Sequence, residues 1–366
     1  METVVINPAD NLYAAIADCI EKVGFSPKHR EIIIKPNLVA SLPSGSGFIT
    51  DVRLIRALIK VLNDKFQPEK IYIAESSNIS TDTKKSFHSS GYISLEKEFK
   101  NVKLIDLKDE LYHATSFNIQ SPDILDNKTL INVPVLKGHP QVTITCAVKN
   151  LKGLCRDEDK RNIHKWGLNE HLPLLMNFKP ELVLVDATVV RETFVRFFPR
   201  KFNFNRIICG KDPVAVDCIA CQLVGIDIKD VPYLKALVKP EEKINIINFP
   251  GQLAKWNPLS LKVKLGKITV FIGSGCTSCI DACFEAIKPG FTKRESSFWD
   301  NIKTVFFCLS RKKPILLIIG KDPYLDKKDK AKRIYCGQCA IKNISSEGEK
   351  IPGCPVEGEK IREKMV

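Results

Sequence analysis

The last third of the chain carries Cys276-x-x-Cys279-x-x-x-Cys283, then Cys308, Cys336-x-x-Cys339 and finally Gly353-Cys354-Pro355. Thiolates are ligands for soft metals, and two Cys-x-x-Cys pairs roughly sixty residues apart can close one tetrahedral site. Zinc held by Cys276, Cys279, Cys336 and Cys339 is therefore one expectation. The terminal Cys-Pro beside a glycine points instead to the last ligand of a [4Fe-4S] cluster, which we place ahead of zinc, with structural thiols third. Disulfides are the weaker explanation for 13 cysteines, because no export signal is evident. Cys19, Cys146 and Cys218 fall in apolar helical patterns and read as small core residues.

A second set of chemical residues lies in 130–154, LINVPVLKGHPQVTITCAVKNLKGL. An apolar run suited to a strand covered on both faces meets Lys137-Gly138-His139-Pro140, where glycine and proline should stop regular structure. A cation and a titratable ring are thereby expected at a strand's carboxyl end, where open α/β sheets bind ligands. Residues 143–151 read as a helix carrying Lys149 and Asn150, stopped by Gly153. Residues 31–39 repeat the pattern, ending in Lys35 and Asn37. Side by side, the two edges would form a basic pocket in which Lys35, Lys137 and Lys149 neutralise an anion and Asn37 and Asn150 orient it. His139 would be the acid–base group. Asp186, inside the apolar run 181–190, is a candidate partner for one of the lysines.

These residues need a frame. Strands at 4–6, 31–39, 70–76, 102–107, 181–190, 206–210 and 244–249 alternate with helical patterns at 12–23, 51–66, 162–178 and 214–224. That alternation predicts an α/β fold with a largely parallel sheet and helices on both faces. The small, flexible loop 40–49 before a helix capped by Thr50 or Asp51 could cradle an anion, without a dinucleotide or P-loop fingerprint. Asp212 and Pro213 read as N-cap and first helical residue, and Asp217 one turn on as either ligand-facing or a dipole partner. His164 and His171, seven apart, would share a helical face. Pro250-Gly251 and Trp256-Asn-Pro mark a boundary between an α/β ligand-binding domain, 1–255, and a smaller cysteine-rich domain, 256–366, binding the cluster.

With 366 residues and 44% hydrophobic content the chain can bury substantial cores. Its net charge of +14 favours anionic ligands. The lysines are spread out apart from the run 327–333, and no arginine–aromatic pattern appears, which ranks nucleic acid well below a small anion. No uninterrupted apolar stretch reaches the ~18 to 20 residues of a membrane span, so a soluble, cytoplasmic protein is expected.

The combination of an IKPNL-like strand at 34–38, VPVLKGH with TCAVKNLKG, DPVAVD at 212–217, and GSGCTSC, GQCA and IPGCP near the end resembles domain-of-unknown-function family 362, whose members are described as iron–sulfur proteins. The resemblance spans nearly the whole chain. It implies Cys276, Cys279, Cys339 and Cys354 as cluster ligands, with Cys283 and Cys336 as extras. It also implies a Gly-rich, acidic segment after Asp186, where this chain has the basic, aromatic 190–199, so a family substrate need not carry over. The leading expectation is an iron–sulfur oxidoreductase or electron-transfer protein with an anion pocket and a redox partner protein. The alternatives are a hydrolase, isomerase or racemase with a structural cluster or zinc, and a ferredoxin-like module without substrate.

Overall fold

The computed structural model describes residues 1–116, 118–139, 141–192, 201–239, 243–256, 262–272, 277–288, 298–311, 313–320, 331–342 and 347–365. Two compact units divide the chain, Met1–Leu259 and Ser260–Val366.

The first unit begins with β1 (Glu2–Pro8), α1 (Leu12–Lys22), β2 (Glu31–Pro36), α2 (Val52–Phe66), β3 (Lys70–Glu75), α3 (Thr83–Ser89), α4 (Ile93–Glu98) and β4 (Val102–Asp106). A small hairpin of β5 (Tyr112–His113) and β6 (Ser121–Pro122) precedes β7 (Thr129–Val133), β8 (Val135–His139) and β9 (Thr143–Thr145). There follow α5 (Ala147–Asn150), α6 (Asp157–Trp166), α7 (Leu168–His171), β10 (Leu182–Arg191), β11 (Lys201–Gly210), α8 (Pro213–Leu223), α9 (Pro232–Leu237) and β12 (Ile244–Ile247).

The main sheet runs β12-β1-β11-β10-β7-β2-β3-β4, with β8 beside β10 and β9 beside β8. Pairing is parallel except around β11 and between β8 and β9, so the expected largely parallel sheet is what forms. Its strands are covered on both faces. Ile33, Val183 and Val185 belong to one core with Val148 and Ile219, while the alternating Ile32, Ile34, Leu182 and Leu184 belong to another with Ile16, Ile55 and Leu58. Asp51 caps α2 by accepting the Arg53 amide, and Asp212 caps α8 with Pro213 in its first turn.

Three local expectations are corrected. Lys137-Gly138-His139 continues β8 instead of ending it, because β9 pairs with it antiparallel, Lys137 opposite Thr145 and His139 opposite Thr143. The helix expected over 143–151 is therefore strand β9, then α5 and a 3-10 turn at Leu151–Leu154. The helix expected over 162–178 starts earlier, at Asp157, and breaks at Gly167 (φ 123°), so His164 and His171 share no continuous helical face.

The second unit has a five-stranded sheet, β13 (Lys262–Leu265), β14 (Ile268–Ile272), β15 (Ile315–Ile319), β16 (Lys332–Cys336) and β17 (Glu349–Ile351), in that order. The last four strands are parallel, joined with α10 (Thr277–Ile287), α11 (Phe298–Leu309), α12 (Gln338–Ile341) and α13 (Gly358–Met365). Among the described residues no helix is long and apolar enough to cross a membrane.

Candidate functional site

Parallel pairing of β2 with β3 and β7 brings their carboxyl ends to one edge, and a closed polar network forms there. The buried Lys35 ammonium donates to Glu75 Oε2 at 2.8 Å, to the Pro36 carbonyl at 2.6 Å and to Asn150 Oδ1 at 3.3 Å. Asn37 Nδ2 donates to the same Asn150 oxygen at 2.9 Å, and Asn37 Oδ1 accepts from Lys137 Nζ at 2.9 Å. Lys137 also donates to the Phe48 carbonyl, and Asn150 Nδ2 to Asn132 Oδ1 at 2.8 Å. Burial lowers the pKa of Lys35 against the attraction of Glu75, and burial pulls Lys137 down to about 7.

The expected ligand-binding residues thus divide. Lys35, Asn37 and Asn150 are brought together, but their polar atoms are spent on one another and on Glu75, so they form the floor of the site. The carboxylate partner of the lysines is Glu75, not Asp186. Asp186 accepts the Asp51 amide at 2.8 Å, the Thr188 amide at 3.1 Å and the Thr188 hydroxyl at 2.6 Å. Burial raises its pKa. With the carboxylates of Asp51 and Asp186 at the start of α2, that helix end is already provided with negative charge and acceptors, which argues against the expected anion cradle there.

Above this floor the groups are less committed. The side chain of Lys149, half-buried on α5, makes no hydrogen bond or ion pair among the described residues. Burial, then Lys152, Lys137 and Lys35, hold its pKa well below the usual lysine value. His139 is buried, and its Nδ1 accepts the Gln141 amide at 3.2 Å. That bond leaves the neutral ring's proton on Nε2. Burial, then Lys149, His164, Lys152 and Lys137, push its pKa well down. Its neutral Nε2–H is a donor. The Thr145 hydroxyl, opposite Lys137 across the hairpin, is buried and finds no hydrogen-bond partner among the described residues.

Lys152 was not expected in the site, whereas His164 was expected, with His171, only on a helical face that could close over it. Lys152 Nζ and His164 Nε2 lie 2.5 Å apart, and His164 is held neutral by burial and by Lys152 and Lys149. Neutral imidazole can accept from the ammonium where a second cation would repel it. His171 instead meets the Gly167 carbonyl at 2.8 Å and stacks near Trp166, ring centroids 5.4 Å apart. The adjoining Lys160 ammonium binds the Ser76 and Ser77 carbonyls and Asp157, fixing the turn after β3. Glu75 could have been suspected from its place at the end of a strand; the order β2-β3 that pairs it with Lys35 is not written in either segment alone.

In the second unit, parallel β14, β16 and β17 all lead toward cysteines at their carboxyl ends. Cys276 lies outside the described residues. Cys279 stands in the first turn of α10, and Cys283 one turn on is hydrogen-bonded to Cys336 at the end of β16. A Cβ on Gly337 (φ 90°) would come within 3.2 Å of Cys279 Sγ and 3.5 Å of the Gly353 carbonyl. The Gly337 amide donates to Ile351 and the Gln338 amide to Gly353, at 2.9 and 3.0 Å. The chain around Cys279, Cys336-Gly337 and Gly353-Cys354 therefore converges. Cys339 follows on α12, and Cys354 is exposed. Among the described residues no three His, Cys, Asp or Glu side chains are already set for a metal ion.

A family model described as domain of unknown function (DUF362) matches residues 32–222, which include every residue of the polar network named above and end within the first unit. A thylakoid-associated protein of Synechocystis is 22% identical over 243 residues, covering 62% of this chain and 74% of that protein. The lactate racemase apoprotein of Thermoanaerobacterium thermosaccharolyticum superposes with a TM-score of 0.39 and 11% identity over 62% of this chain. This chain spans 57% of the racemase's length.

Proposed function

We propose, for a chain that belongs to the DUF362 family, that the first unit binds a small carboxylate- or phosphate-bearing ligand at the cation-rich edge of its sheet. The observation that carries this is Lys149: an amine whose charge is disfavoured by burial and by Lys152, Lys137 and Lys35, with no counter-charge of its own among the described residues. A protein tolerates such crowding of basic groups where an anion completes the site and restores their charge. Thr145 and the Nε2–H of His139 add donors without charge. Lys137, with a pKa near 7, is then the group that exchanges a proton near neutrality, and His139 a fixed donor, which reverses the roles their ordinary pKa values suggest.

The converging cysteines support a [4Fe-4S] cluster in the second unit, held by Cys276, Cys279, Cys339 and Cys354. Glycine at 337 keeps the space beside Cys279 Sγ free of a side chain. When bound, the cluster supplies one-electron chemistry, giving the protein an oxidoreductase or electron-transfer role with a redox partner protein. Nucleic acid is not required by any part of this reading. The test has two arms. Titration calorimetry against mono- and dicarboxylates and phosphate esters should reveal a ligand whose affinity Lys149→Met lowers by about tenfold or more; no binding, or unchanged binding in the variant, refutes the pocket. Anaerobically purified protein should carry iron and acid-labile sulfide, while one equivalent of zinc and no iron refutes the cluster.

A further inference from the structure

We propose that Asp217 is the positioning residue of the anion site: from α8 its carboxylate holds the start of α5 and so aims Lys149. The inference rests on the ligand-binding reading above.

Asp217 is wholly buried. Its Oδ1 accepts the Ala147 amide at 2.5 Å, and its Oδ2 accepts the Val148 amide at 3.2 Å and the Tyr233 hydroxyl at 2.9 Å. The Cys146 thiol donates to it as well. A helix of four residues cannot sustain itself, since nucleation is unfavourable and its first amides have no partner within the helix. Asp217 supplies acceptors for two of those amides from a different element. At the other side of the turn, Asn132 Nδ2 donates to the Ala147 carbonyl at 2.9 Å and Asn132 Oδ1 accepts from Asn150. The α5 backbone is therefore clamped on both sides. Lys149, whose side chain bonds to nothing described, takes its position from α5, which is held by that clamp and by the burial of Ala147 and Val148 in the core.

The groups facing Asp217 are Cys146, Cys221 and Tyr233, each kept neutral by burial. With no cation beside it among the described residues, the carboxyl titrates at about 6, raised by burial against the hydrogen bonds it accepts. Protonation removes acceptor capacity from the clamp, so anion binding should weaken as pH falls through that value.

The test uses sulfate, whose charge does not change across the range. Calorimetric affinity for the full-length protein should fall on the acid side of pH 6. Asp217→Asn should bind ~5-fold more weakly at pH 7.5, on the scale of a lost helix cap, and should lack the acid limb. Amide hydrogen exchange supplies a readout without ligand: the variant should lose protection at residues 147–150 while the sheet keeps its own. Wild-type affinity and limb in the variant, or equal protection at 147–150, overturns the proposal. If the wild type binds neither sulfate nor any of the carboxylates and phosphate esters, the ligand reading fails while the exchange comparison still decides the positioning. Should Asp217→Asn not fold, Tyr233→Phe removes one donor to the carboxylate and should move the acid limb to higher pH; an unmoved limb overturns the proposal.

Discussion

Lys137 donates to Asn37 and to the Phe48 carbonyl from a buried position, and burial lowers its pKa from 10.5 to about 7. Between those values the unfolded chain holds the proton more tightly than the folded one. Stability therefore rises with pH across that window, and the cost of burying the charge is fully present below pH 7. Lys137→Met removes the charge but leaves Asn37 Oδ1 and the Phe48 carbonyl without their donor, a loss of about 1 to 3 kcal/mol each. The variant's stability relative to wild type should thus be greatest at pH 7 and should decline steadily toward pH 10 in denaturant melts. A difference independent of pH would show that Lys137 is not depressed in the fold. Lys137 was visible in the sequence as a cation at a strand end. Its shift was not, because that depends on how completely Phe48, Asn37 and β9 enclose it.

At the scale of elements, the parallel strands were legible because alternating residues such as Ile32, Ile33 and Ile34 are apolar on both faces. The helix caps at Asp51 and Asp212 were legible for the same kind of local reason. The β8–β9 hairpin was not, since Gly138 and Pro140 read as breakers and β9 is only three residues long. Gly138 serves instead to admit a neighbour: a Cβ there would lie 1.8 Å from the Glu192 carbonyl oxygen, a backbone atom that cannot swing aside. Gly138→Ala should therefore displace β8 from β10, costing ~2 kcal/mol or more and reducing anion affinity in step, read by melts and calorimetry on one preparation. An alanine variant of wild-type stability would contradict the close approach. The partnership of Lys35 with Glu75 was hidden for a different reason, since it arises from strand order and not from either strand's composition.

Across the whole molecule, a net charge of +14 is not spread evenly in its consequences. Most lysines are solvated, whereas a few are gathered with two histidines around α5, where desolvation and mutual repulsion drive His139, His164 and Lys149 toward neutrality. An anion entering that space reverses both effects and recharges the groups around it. Ligand binding must then draw protons from solvent. The decisive measurement is calorimetric titration of the bound anion at about pH 7.5 in buffers of different ionisation enthalpy. The account predicts net proton uptake, reduced in Lys149→Met; binding with no proton exchange, or with proton release, would contradict it.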